Sequence, residues 1–135
     1  MNSESANNIK QGSFAASIAE LYEPLNANLK FKEKFKDDVF KILLNPKDGE
    51  TAALIQVDRG SLTVKSIDNS NKKNIDQKTL GWDALMQTTI EIFSDIGSGK
   101  LSSSDIVKKV VTRKIKVKNP NFLAKLTEMG SLLRE

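Results

Sequence analysis

The sequence predicts an α+β domain in which a meander of three antiparallel strands carries helices gathered on one face. Three observations lead there. Apolar residues recur at three- and four-residue spacing towards both ends of the chain, the stretch from Val39 to Ile67 alternates with period two, and two short turn signals divide that stretch. With 135 residues, 39% apolar and 28% charged, the chain has the size and composition of one globular domain around one core.

Residues 1–12 are polar and aperiodic, which predicts a flexible N-terminal tail and leaves 13–135 as a single domain. Phe14, Ile18, Leu21, Leu25 and Leu29 then form a helical stripe with Glu20 and Glu23 off it, and Pro24 predicts a kink or a break into two helices. In KFKEKFK, Lys30 to Lys36, the pair Phe31 and Phe35 at i, i+4 predicts a short second helix. VFKILLNP reads as a half-buried strand with Phe40, Ile42 and Leu44 on one face and Val39, Lys41 and Leu43 on the other. Asn45 to Glu50 is a turn in which Gly49 is expected to take a positive φ. The second strand, Thr51 to Asp58, sets Ala53, Ile55 and Val57 on one side, and Asp58-Arg59-Gly60 reverses the chain into the third, SLTVKSI.

Asp68 to Lys78 is polar and predicts a long loop with a brief fourth strand before Gly81. From Trp82 to Ile96, the residues Trp82, Leu85, Met86, Thr89, Ile92, Phe93 and Ile96 form a wide stripe that predicts one helix, closed by Gly97 as a left-handed terminator. Ser102 to Asp105 supplies an N-cap and a first-turn acid for a short helix that continues through Val111. RKIKVK, Arg113 to Lys118, returns to period two as an edge strand with Ile115 and Val117 inward. Asn119 and Pro120 start a last helix striped by Phe122, Leu126, Met129 and Leu133, with an interruption expected near Gly130.

The composition argues against enzymology. With no cysteine there is no disulfide, thiolate metal site or cysteine nucleophile, and with no histidine the commonest general base and metal ligand are missing. No catalytic residue, metal or cofactor is expected. No apolar run approaches the ~20 residues of a membrane span, and MNSESANN lacks the features of a signal peptide, so a cytoplasmic location is expected. A net charge of +4 and a pI near 9.3 suit anionic partners without choosing among them.

The phrase GKLSSSDIVKKVVTRKIKVKNPNFLAKL, Gly99 to Leu126, resembles the sterol carrier protein type-two domain family: a Gly-Lys-Leu turn, a short helix, the strand Lys114-Ile115-Lys116-Val117-Lys118 and a closing helix with Leu123-Ala124-Lys125-Leu126. Arg113 stands where that family usually has a glycine, and Asn119-Pro120-Asn121 replaces its usual glycine turn. The resemblance implies a five-stranded mixed sheet with helices on one face. It also implies an apolar tunnel between the layers that binds or transfers a fatty acid, an acyl lipid or a sterol-like molecule, inside the cell and without catalysis.

Two groups of residues are candidates for that ligand site. Trp82, Met86, Ile90 and Phe93 belong to a predicted helix with more apolar residues than one packing face requires, and Trp82 would report a nearby lipid by fluorescence. Phe122, Leu123, Leu126 and Met129 would line the tunnel from the last helix if the family's arrangement holds. For both groups the plain alternative is ordinary core. The basic residues Lys108, Lys109, Arg113, Lys114, Lys116 and Lys118 offer transient contact with anionic membrane surfaces. Nucleic acid is a weaker reading, because helix and strand geometry splits these cations and the sheet lacks aromatics for stacking bases. The competing reading of the whole is an assembly module of the same fold with a filled core, pairing as a homodimer through an exposed apolar face.

Overall fold

The structure, a computed structural model, describes residues 13–70 and 72–133; the expected tail, 1–12, lies outside the described residues. The first helix, α1 (Phe14–Tyr22), is capped by Ser13, whose Oγ accepts the Ala16 N–H at 3.1 Å. Pro24 breaks the chain as expected, into a 3-10 turn at Glu23–Ala27. The break also takes Leu29 out of the predicted stripe: it opens α2 (Leu29–Lys34) and is 81% exposed. Phe31 and Phe35 are buried with ring centroids 5.1 Å apart, so the i, i+4 pair is what anchors this short helix.

The meander forms as predicted, with β1 (Val39–Pro46), β2 (Thr51–Asp58) and β3 (Ser61–Asp68) antiparallel and Ile42, Ile55 and Val64 in register across it. Arg59 and Gly60 join β2 to β3 with φ of 49° and 85°, the pattern of a two-residue hairpin matched to strand twist. Gly60 is also a close approach: a Cβ there would stand 3.0 Å from the Lys32 carbonyl oxygen of α2. Gly49, expected at positive φ, is not left-handed; its missing Cβ makes room for Pro46 and Ile90. Asn26 finishes part of the edge of β3, its Oδ1 accepting the Leu62 N–H at 2.7 Å while its Nδ2 donates to the Leu62 carbonyl at 2.9 Å.

The largest departure from the sequence reading follows. After a 3-10 turn at Lys72–Asn74 and α3 (Gln77–Leu80), the residues Ala84–Thr88 are a strand, β4, running parallel to β1, and only Ile90–Gly97 is helix, α4. The fourth strand therefore follows Gly81 instead of preceding it. A central strand buried on both faces reads as an unbroken apolar run, and ALM satisfies helical spacing as readily as strand. The deciding local signal is Thr89, whose Oγ1 accepts the Ile92 N–H at 3.2 Å and starts the helix there. Gly97 is the last helical residue and not the left-handed terminator; that conformation falls to Gly99, at φ 79°.

The helix α5 (Ser103–Val111) carries a reciprocal cap, Ser102 Oγ accepting the Asp105 N–H and Asp105 Oδ2 accepting the Ser102 N–H, each at 3.1 Å. The Ser102 N–H, followed by the Ser102 side chain, holds the Asp105 carboxyl below its usual range. The strand β5 (Lys116–Lys118) pairs antiparallel with β4 at the sheet edge, and α6 (Asn121–Leu133) runs through Gly130 without the expected interruption. The residues flanking β5, Arg113 and Asn119, have φ of 64° and 61°, so both sit in the left-handed conformation that glycine takes most cheaply.

The sheet order is β3-β2-β1-β4-β5. Phe40, Ile42 and Leu44 with Ile55, Val64 and Met86 face α1, α2, α4, α5 and α6, forming the main core. The other face is not bare: Leu43, Leu54 and Leu85 are buried there with Trp82, against which Ile75 and Leu80 pack. Ion pairs tie the ends of the helical layer, Lys34 of α2 to Glu128 of α6, and Lys125 of α6 to Asp38 at 3.4 Å, with the Lys125 ammonium 5.3 Å from the Phe40 ring centre.

Candidate functional site

Between α1 and α4 the facing residues include small ones that leave space unfilled. Ser17 of α1, Ser94 and Gly97 of α4 and Ser98 just after it line, with Phe14, Ile18, Leu21, Ile90 and Phe93, a hollow of about 420 Å³. The Phe14 and Phe93 rings meet at 5.0 Å and brace its end. Two of its three hydroxyls are engaged with backbone, Ser17 donating to the Ser13 carbonyl and Ser98 to the Asp95 carbonyl, both at 3.3 Å.

A second hollow, of about 290 Å³, opens beyond Leu21 between Tyr22, Ile96, Leu101, Ile106, Leu126 and Gly130. Leu21 and Gly97 belong to the walls of both. A Cβ on Gly97 would stand 2.8 Å from Leu21 Cδ2, so the leucine side chain occupies the space that the missing methyl leaves. Leu21 thus stands where the two hollows adjoin. Among the described residues, no charged side chain lines either of them. The first is walled mainly by apolar side chains, whereas the second also presents Ser102, Thr127 and Ser131, so together they can take a molecule that is apolar at one end and carries polar atoms at the other.

The expected tunnel runs between the sheet and the helical layer, and α6 forms part of that layer. Between the sheet and α6, Met86, Phe122 and Leu126 border with Ile42 and Val117 a small recess of about 10 Å³, room for about one water. The reverse face carries a larger, open groove of about 1150 Å³, but its rim is charged, with Glu50, Asp68, Asp76, Lys116 and Lys118. On its floor the buried Asn45 donates to Gln87 Oε1 at 3.0 Å and accepts from Asn69 at 2.8 Å, so its amide is satisfied. Pro46, Ile75, Trp82 and Leu85 add apolar surface between the charged groups of the rim.

The structure does not gather the eight candidate residues into one site. Ile90 and Phe93 line the first hollow and Leu126 the second, while Met86 and Phe122 close the small void beside Leu126. Met129 is fully buried in the main core. Trp82 lies on the opposite side of the sheet, its indole N–H donating to the Ile75 carbonyl at 2.9 Å, because Trp82 precedes a strand and does not share a helix with Phe93. The side chain of Leu123 lies outside the described residues. Sequence reasoning had placed Phe14, Ile18 and Leu21 in a packing stripe and passed over their cavity role. The available signal was the set of small residues Ser17, Ser94, Gly97 and Gly130 set among the apolar stripes.

No protein-family model and no curated protein matches the sequence. Solved structures do match by shape. A UbiJ-SCP2 ubiquinone synthesis protein superposes with a TM-score of 0.60 at 9% identity, over 89% of this chain and 90% of that one. The apo form of sterol carrier protein 2 from Yarrowia lipolytica does so with a TM-score of 0.55 at 18% identity, over 96% of each chain. The same shape also forms 15% of the sec-alkylsulfatase Pisa1 from Pseudomonas sp., at 17% identity, a TM-score of 0.55 and 82% of this chain. The mixed five-stranded sheet and the helical layer packed on it are those of sterol carrier protein 2: the chain has the sterol-carrier-like α+β fold.

Proposed function

We propose that the chain binds an elongated apolar molecule, a fatty acid or acyl lipid, in the paired hollows between α1, α4 and α6, and carries it without chemical change. The observation that supports this is the pair of uncharged hollows, about 420 and 290 Å³, that share Leu21 and Gly97 in their walls. Their combined size falls within the range of small-molecule sites. A divided space favours a flexible chain, which can thread past a leucine, over a rigid fused-ring sterol, which needs one undivided volume. Ile18, Leu21, Ile90 and Phe93 would hold one end of the chain, Ile106 and Leu126 the other. The sterol carrier names borne by proteins of the same fold are in keeping with this reading.

Affinity would come from burial alone, about 0.8 kcal/mol for each methylene taken from water, less the cost of association. The competing reading, an assembly module with a filled interior, draws support from the void of about 10 Å³ between sheet and α6. Native mass spectrometry separates the two. The carrier reading expects co-purified or added fatty acids to appear as adducts of the folded protein. Absence of any adduct, with an unchanged circular dichroism spectrum, would leave the assembly module.

A further inference from the structure

The outer face of α5 carries a pattern that neither packing nor the hollows use. Between Lys100 and Lys118 stand seven of the chain's 21 cations and one of its 17 acids, so this stretch holds a net +6 where the whole chain holds +4. Among the described residues none of these seven cations forms an ion pair. The helix buries Ile106, at 5% exposure, and turns Ser104, Val107, Lys108 and Val111 outward at i, i+3, i+4 and i+7. Val107 is 55% exposed and Val111 75%. After Thr112 the chain folds back on the helix end, the Lys114 and Ile115 N–H groups donating to the Lys109 carbonyl at 2.8 and 3.1 Å, which keeps the exposed Arg113 and Lys114 beside that helix terminus. Lys116 and Lys118 do not join them, because their register with Gln87 and Leu85 sends them to the reverse face of the sheet.

We propose that Val107, Lys108, Val111, Arg113 and Lys114 form a docking surface for an anionic lipid bilayer. Exposed aliphatic side chains flanked by unpaired cations match the boundary between acidic headgroups and acyl chains, where the valines leave water and the cations meet phosphate and carboxylate. Nucleic acid fits less well: the two valines would face a hydrophilic backbone, and the patch has no aromatic ring on which a base stacks. A second copy of the chain fits less well again, since a two-fold contact through this face sets like charges against each other. The inner side of the same helix contributes Ile106 to the second hollow, so docking here brings that hollow's wall to the bilayer. The surface itself does not depend on what fills the hollows, and its test needs no added ligand.

Co-sedimentation of the full chain with phosphatidylcholine vesicles, with and without phosphatidylserine, tests the surface. Binding is expected only with the anionic lipid. The double variant Lys108→Glu/Lys114→Glu should lose binding about tenfold or more, while Lys116→Glu/Lys118→Glu, with the same change in net charge on the reverse face, should lose markedly less. Val107→Ser/Val111→Ser should release the residual binding that survives high salt. All these side chains apart from Lys116 and Lys118 lie on the helical side and outside the core, and circular dichroism confirms folding of each variant. Equal losses from the two lysine pairs would reduce the effect to net charge and overturn the assignment. So would equal binding to neutral vesicles, or tighter binding to an oligonucleotide that the valine substitutions leave unchanged.

Discussion

Leu21→Ala should change which acyl chain fills the protein, at modest cost to the fold. In the native chain a ligand entering the first hollow gains about 0.8 kcal/mol, or about fourfold in affinity, for each added methylene. That gain ends when about 420 Å³ is filled and further carbons must displace Leu21 or remain in water. Truncating Leu21 clears the place where this volume adjoins the neighbouring 290 Å³, so the gain should continue to longer chains before it flattens. A fully buried leucine loses about 2 to 5 kcal/mol on truncation, and because Leu21 is half-buried beside existing space, about 1 to 2 kcal/mol is expected here. Gly97→Ala is the converse: its methyl would stand 2.8 Å from Leu21 Cδ2, so the leucine must shift and the added volume narrows the space the two hollows share, ending the gain at shorter chains. Calorimetric titration with saturated fatty acids of increasing length reads both effects, beside urea unfolding for stability. If the three proteins are folded and their affinities flatten at the same chain length, Leu21 does not divide the ligand site and the reasoning fails.

Other consequences are simpler to read. Trp82 fluorescence should stay unchanged when fatty acid binds, since the indole is buried across the sheet from the hollows; a spectral shift at saturating ligand would move the site to the reverse face. Ser102→Ala should cost about 1 kcal/mol by removing the α5 cap, seen as a lower urea midpoint at neutral pH. Because the folded Asp105 has a lowered pKa, its stabilising effect is complete above the usual aspartate range and fades as pH falls through the folded value. Asp105→Asn should therefore destabilise at neutral pH and match the native chain in strong acid, as pH-dependent denaturation can check. Arg113→Gly should stabilise by about 0.5 to 1 kcal/mol, the left-handed cost relieved less the added freedom of the unfolded glycine, measured as a higher melting temperature.

The parts of the fold legible in the sequence were those whose signal is local. Pro24, the Phe31 and Phe35 pair, the Arg59-Gly60 hairpin and the Ser102 cap each act within a few residues of themselves, and each stands where it was expected. β4 was misread because its character comes from partners distant in sequence: only pairing with β1 on one side and β5 on the other makes ALMQT a strand. That single error displaced Trp82 and Met86 from Phe93 and scattered the expected ligand wall. The hollows themselves were invisible for a related reason. Unfilled volume is a property of two facing helices, and Ser17 declares nothing until Ser94 and Gly97 stand opposite it. The left-handed Arg113 and Asn119 show the reverse case, where a departure from the glycine pattern of a resembling family marked two real backbone positions.

Methyl-resolved NMR during titration with a spin-labelled fatty acid would locate the guest directly. Broadening is expected at Ile18, Leu21, Ile90, Leu101 and Ile106, whose side chains wall the two hollows, while Leu43 and Leu54 beneath Trp82 stay sharp. Broadening confined to Leu43, Leu54 and Leu85, or none at all in a folded protein, would contradict a ligand held between the helices.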